Sequence, residues 1–192
     1  MHYIKNKNDM KILNDILEVV TQTKEKSVLM PIQFVKLREN TIKELVEYGI
    51  PDLPMMQKSS HLRENILTKN QAKELGFSIK NKHFHGIGVS MYLKIIKSLE
   101  HPVAIYQYIN NKIHSTNNFI IVTSVKFKNN NYIIPMEVQK MGQYNNIEIR
   151  FNKIKTIYSK ENSKYFSNLC KRNVIRKIYD NSKILSKMYV QK

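Results

Sequence analysis

Cysteine occurs once, at Cys170, so no internal disulfide can form. Its neighbours Phe166 and Leu169 sit at helical spacing, which suits a small buried hydrophobe. No stretch approaches the roughly 20 apolar residues of a membrane span, and Met1-His2-Tyr3-Ile4-Lys5 lacks the apolar run of a signal peptide. The chain is therefore expected to be soluble. Glycine-based nucleotide loops are missing too. Gly86-Ile87-Gly88 has neither a buried strand before it nor a third glycine, and no Gly-x-Ser-x-Gly elbow occurs. With one cysteine, no Cys-x-x-Cys and no His-Glu-x-x-His, no closed ligand set for zinc can be assembled, so no metal and no cofactor are expected. Internal repeats and long low-complexity linkers are absent.

Acidic residues are scarce. Fifteen Asp or Glu stand against 32 Lys or Arg, giving a formal charge of +17 and an isoelectric point near 9.8. A field of that sign attracts polyanions. Asn, Lys and Ile are all abundant, as translation of an AT-rich genome produces, so part of the lysine is solvated surface. The rest is concentrated: Arg150 to Lys192 holds twelve Lys or Arg and two acids, +10 of the total. The 192 residues suit one domain with an attached helical segment, and a hydrophobic fraction of 42% is enough to bury a core. The division expected is a helical extension over 1–40 and a main domain over 41–192.

The main domain is organised around Lys82 to Tyr158. Ser90 to Leu99 is an amphipathic helix stopped at His101-Pro102. Four runs of strand character follow, Val103–Tyr106, Phe119–Thr123, Tyr132–Val138 and Ile147–Phe151, with a fifth at Ile154–Tyr158. Short polar turns such as Lys128–Asn131 join most of them. Upstream, Met10–Val20 and Thr41–Tyr48 have helical spacing, Ser27–Phe34 reads as extended, and Ile50–Met56 with its two prolines is a structured loop. His61–Leu67 suits one or two helical turns, and Thr68 with Gln71 forms a capping-box pattern. Downstream, Asn162–Leu169 is helical, Val174–Tyr179 suits an edge strand and Lys183–Tyr189 a last basic helix. The fold class expected is α+β: N-terminal helices packed on a four- to five-stranded antiparallel sheet, followed by C-terminal basic helices.

His83 and His85 share one side of an extended segment, and the glycines after them admit a substrate backbone. An imidazole near neutral pKa is the usual proton shuttle; a histidine before a glycine turn equally often only bonds the turn. Tyr144-Asn145-Asn146 reads as a turn, or as two amides aimed at a base or phosphate. Near the fifth strand, Lys153 shares a face with Lys155, and Thr156 shares the other with Tyr158. Lys160 and Ser159 follow at once.

The order of these pieces resembles the MuF C-terminal domain of temperate phages. The resemblance is carried by Pro51–Met56, His61-Leu62, Ile66-Leu67 and Ala72–Gly76, then by His85–Gly88, Leu99–Tyr106, Tyr144–Asn146 and Asn152–Tyr158 with Lys160–Asn162. It runs from about Glu44 to Asp180. It implies a toxin domain, usually fused behind a phage head-morphogenesis module and similar to the barnase, EndoU, colicin and RelE group of metal-independent ribonucleases. Two departures stand out. No head-morphogenesis module is present, and Ser159 stands where the family suggests glycine.

The resemblance implies cleavage of RNA in a bacterial cytoplasm, after delivery with phage or by secretion, and a cognate immunity protein or antitoxin as a second partner. Metal-free cleavage uses the substrate's own 2′-hydroxyl, a base, an acid and donors for the phosphate charge. The candidates are His85 with His61 or His83 for proton transfer, and Lys153 or Arg150 for the developing charge. Thr156, Tyr158, Asn145, Asn146 and Lys160 would position substrate. Two other readings stay open. One is a nucleic-acid-binding module without catalysis. The other is ADP-ribosyl transfer, for which Glu137 and Glu148 are the only sheet carboxylates and neither has a Glu-x-Glu context.

Overall fold

The computed structural model describes residues 7–80, 84–109, 118–159 and 162–181. Helix α1 (Lys7–Thr21) buries Ile16, Val19 and Val20 against helix α4 (Ser59–Ile66) and strand β1 (Phe34–Arg38). Between them, Lys24–Leu29 forms helix α2 rather than the extended piece expected over Ser27–Phe34. Thr23 caps it by accepting from Lys26 N at 3.3 Å, and the chain extends only after Pro31. Helix α3 (Lys43–Glu47) and strand β2 (Met55–Lys58) lead into α4. The Thr68–Gln71 capping box opens helix α5 (Lys69–Glu74), with both reciprocal bonds present. Helix α6 (Val89–Lys97) runs into a 3-10 turn at Ser98–Glu100.

Six further strands complete the sheet: β3 (Ala104–Tyr108), β4 (Asn118–Phe127), β5 (Asn130–Tyr144), β6 (Ile147–Ile154), β7 (Tyr158–Ser159) and β8 (Ile175–Asp180). The order is β1-β2-β6-β5-β4-β3-β8, with β7 beside β5. This corrects the expected sheet in three ways. It has eight strands, not four or five. Two of them, β1 and β2, come from the segment expected to be helical cover. One pair, β2 with β6, is parallel, and the rest are antiparallel. The short strands β1 and β2 escaped notice because Phe34–Arg38 and Met55–Lys58 carry too few residues for a clear period of two. The expected C-terminal basic helices are not shown. After helix α7 (Asn162–Lys171) comes the strand β8, and Lys183–Tyr189 lies outside the described residues.

Hydrogen-bonded partners share a face, so the register sorts the side chains. Ile105, Phe119, Ile121, Ile134, Met136 and Ile154 face helices α1 and α3 to α6 in the main core. Ala104, Tyr106, Ile120, Val122 and Ile133 face the other way, where Phe166 of α7 stacks on Tyr106 at 4.5 Å. Burying each such aliphatic or aromatic side chain stabilises by about 1.5–3 kcal/mol. Because β1 pairs with β2 and α1 packs on α4, the segment before residue 41 shares this sheet and core.

Candidate active site

The site begins where the sheet is interrupted. Ile154 ends β6 opposite Met136, and Tyr158 resumes pairing with β5 at Ile133. The expected continuous strand Ile154–Tyr158 is therefore broken. Backbone groups that leave a ladder in the interior must find other partners. Two buried amides supply them. Gln57 Nε2 donates to Lys155 O at 2.6 Å and Gln57 Oε1 accepts from the Tyr92 hydroxyl at 2.5 Å, while Asn65 Oδ1 accepts from Ile157 N at 3.3 Å. Lys155 N also donates to Pro135 O at 2.9 Å. Thr156, between the two anchors, is buried.

The last turn of α4 also holds the histidine loop. His85 N and Gly86 N donate to Glu64 O at 2.8 and 3.2 Å, Ile87 N donates to Asn65 O, and Gly88 N to Ile66 O. These are orphan carbonyls of a helix C-terminus. Gly86 is needed at φ 60, and a methyl group there would sit 3.3 Å from Leu67 O. Asn65 thus ties His85 and Tyr158 to one helix end. Their rings stack with centroids 6.1 Å apart, and His85 is exposed. Tyr158 is half-buried. Burial, then the neighbouring Tyr165 and Tyr108, push its pKa up to about 12, so it is a neutral donor near pH 7.

Farther along the same face lies a charged cluster. Glu137 is opposite Lys153 in register, and its carboxylate meets Lys155 at 2.7 Å, Lys153 at 3.5 Å and Lys140 at 3.9 Å. Burial pushes the Glu137 pKa up, but the Lys155 hydrogen bond and the charges of Lys155, Lys153 and Lys140 outweigh it and hold the carboxyl below its ordinary value. Side-chain exposures of 18% for Glu137, 22% for Lys153 and 34% for Lys155 leave the cluster open to solutes. Glu137 stands four residues along β5 from Ile133, the partner of Tyr158, roughly 13 Å by strand rise. Helix α7 packs over β3, β4 and the Ile133 end of β5, away from Glu137.

The other sequence candidates are scattered. His61 is partly exposed on α4, one turn before Asn65. Arg150 is exposed, and alternation along β6 sets it on the opposite face from Lys153, so the two cannot share a phosphate there. Asn145 and Asn146 have φ of 50° and 63°, the pattern of a two-residue hairpin turn at the exposed β5–β6 tip. His83 and Lys160 lie outside the described residues. Asn65 and Gln57 were missed, because nothing local marks a buried amide as an anchor. Glu137 was read apart from its lysines, because only the register brings them together.

Over residues 78–191 the sequence matches the family described as the phage MuF-C-terminal domain. The chain belongs to that family. No curated protein and no solved structure matches it. The matched part of this MuF domain opens just before the histidine loop and takes in α6, α7 and β3 to β8. Pro51–Met56, His61-Leu62 and Ala72–Gly76 lie ahead of it. Among the described residues no helix is long and apolar enough to cross a membrane, and no three His, Cys, Asp or Glu cluster as metal ligands.

Proposed function

We propose that this MuF domain is a toxin of the barnase, EndoU, colicin and RelE kind, cleaving RNA without a metal. The observation that carries this reading is one face on which an exposed histidine stacks on a neutral tyrosine and lysines follow along the sheet. The chemistry needs one proton taken and one given. The 2′-hydroxyl oxygen attacks the adjacent phosphorus as its proton passes to a base. The bond from phosphorus to the 5′-oxygen breaks as an acid protonates that oxygen. A 2′,3′-cyclic phosphate and a 5′-hydroxyl result.

His85 carries one of these transfers. Lys153 and Lys155 stabilise the charge on the phosphorane, and the Tyr158 phenol donates to a phosphate oxygen. Glu137, kept ionised by its lysines, is an acceptor at neutral pH and the strongest new candidate for the base; His61 is the other. The partners implied are RNA and a cognate immunity protein, and the place of action is a bacterial cytoplasm.

Incubation of the purified chain with total RNA, with and without EDTA, tests the reading. Equal fragmentation in both is expected. Intact RNA bound by the chain would favour the non-catalytic nucleic-acid-binding module instead.

A further inference from the structure

Of the seven phenylalanines, six are buried or half-buried and Phe127 alone is exposed, at 52%. It ends β4 and pairs with Asn130 across the tip of the β4–β5 hairpin. Both its neighbours, Lys126 and Lys128, are exposed lysines. Other lysines of the sheet meet carboxylates: Lys36 meets Glu39, Lys177 meets Asp180, and Lys140, Lys153 and Lys155 meet Glu137. Among the described residues no carboxylate pairs with Lys126 or Lys128.

The backbone brings the second cation to the ring. Lys128 has a φ of 47° and Asn129 of 67°, the two left-handed residues of a two-residue hairpin turn. Asparagine and glycine take such positions readily, and lysine does so only under strain. That turn sets Lys128 Nζ 5.5 Å from the centroid of the Phe127 ring. An exposed aromatic ring between unpaired cations offers what a single nucleic-acid strand needs, a flat face for a base and charge for the phosphates on either side.

The tip adjoins the candidate site. Ser159 Oγ donates to Asn130 O at 3.3 Å, and Asn130 lies three residues along β5 from Ile133, the partner of Tyr158. By strand rise that is about 10 Å, the length of about three stacked nucleotides. Glu137 and its lysines lie along β5 in the other direction from Tyr158.

We propose that Phe127, Lys126 and Lys128 form a second binding point for single-stranded RNA, where an unpaired base stacks on Phe127 while the phosphate to be cleaved lies at His85. The identity of the polyanion rests on the ribonuclease reading. Only an unpaired base can turn a free face to the ring, since in a duplex the stacked neighbours cover both faces. The platform therefore favours single strands and loops over helices, and every base suits it because each has a π-face.

Fluorescence anisotropy with labelled 2′-O-methyl octanucleotides tests this on the full chain, because a methylated 2′-oxygen cannot attack the phosphate. Phe127→Ala should bind the octamer at least about fivefold more weakly, the share of one stacked base. Phe127→Tyr should bind like the unaltered chain, and Phe127→Leu like Phe127→Ala. A duplex of the same length should bind Phe127→Ala and the unaltered chain alike. Lys128→Gln should lower the slope of log affinity against log salt by about 0.7, one phosphate contact on a single strand. Equal octamer binding by the unaltered chain and Phe127→Ala overturns the platform, and so does equal binding by Phe127→Tyr and Phe127→Leu. Vesicles of anionic phospholipid that bind the unaltered chain and not Phe127→Ala, with octamer binding unchanged, would give the tip to a membrane surface instead. Cleavage of total RNA is read separately. Octamer binding that needs Phe127, without cleavage, would remove the ribonuclease and keep the platform. Cleavage with octamer binding indifferent to Phe127 would do the reverse.

Discussion

At Asn65 a single amide decides where two side chains of the candidate site stand. It is fully buried on α4, its Oδ1 holds Ile157 N, and its own carbonyl accepts from Ile87 N. Replacing it with alanine leaves Ile157 N without its partner in the interior. Such losses cost about 1–3 kcal/mol. Asn65→Ala should therefore lower thermal stability by that amount. It should also release the His85–Tyr158 stack, read as a loss of RNA cleavage larger than the fall in folded fraction explains. An unchanged melting curve would show that water replaces the amide. The sequence offered no trace of this role, since an Asn in a helical run reads as surface. His85, by contrast, was legible from its glycines. The histidine must reach out from a helix end, and glycine suits the φ of 60° beneath it, where a Cβ would crowd Leu67 O at 3.3 Å.

At the scale of elements, the β5–β6 hairpin shows what a local pattern can and cannot reveal. Its turn was legible because consecutive asparagines tolerate positive φ. Asn146→Val, at φ 63°, should destabilise the domain by about 1–2 kcal/mol, while Asn146→Gly should be nearly neutral. Unchanged RNA affinity in Asn146→Gly would mark the residue as a turn former and not a substrate ligand. The bulge behind the hairpin was not legible. Gln139 sits at φ 55° where the register shifts between Glu137 and Lys140, and its N–H donates to Asn152 Oδ1 at 3.2 Å. That shift helps gather Lys140 and Lys153 around Glu137. A second element-scale effect is alkaline sensitivity. Burial raises the pKa of Tyr92 far above 10 and that of Tyr158 to about 12. Groups with raised folded values contribute stability that is complete below the unfolded value and lost as pH rises through the folded one. Melting temperature should therefore begin to fall above about pH 10, and Tyr158→Phe should flatten part of that decline up to about pH 12.

For the whole molecule, the α+β class and the run of strands from β3 to β6 were visible in alternating apolar residues. The full sheet was not. β2 joins β6 in parallel, a contact between residues about a hundred apart that no local period signals. The same long-range pairing is what places Gln57 under Lys155 and Met56 beside Lys153. The charge of the whole chain makes its own prediction. With +17 overall, RNA binding should weaken steeply as salt rises, because each lysine or arginine that meets a phosphate releases a counterion. A flat dependence in a filter-binding titration from about 50 to 200 mM salt would mean the basic surface is only solvated.

The most direct measurement is the chemistry of the RNA ends left by the unaltered chain and by His85→Ala, in EDTA, with folding and RNA binding checked in parallel. The unaltered chain should leave 2′,3′-cyclic phosphates and 5′-hydroxyls. His85→Ala should melt and bind RNA as before yet cut slower by about 100-fold or more, the usual share of a proton-transfer group. Full-speed cleavage by a folded His85→Ala, or 5′-phosphate ends, would contradict the assignment of His85 to the reaction.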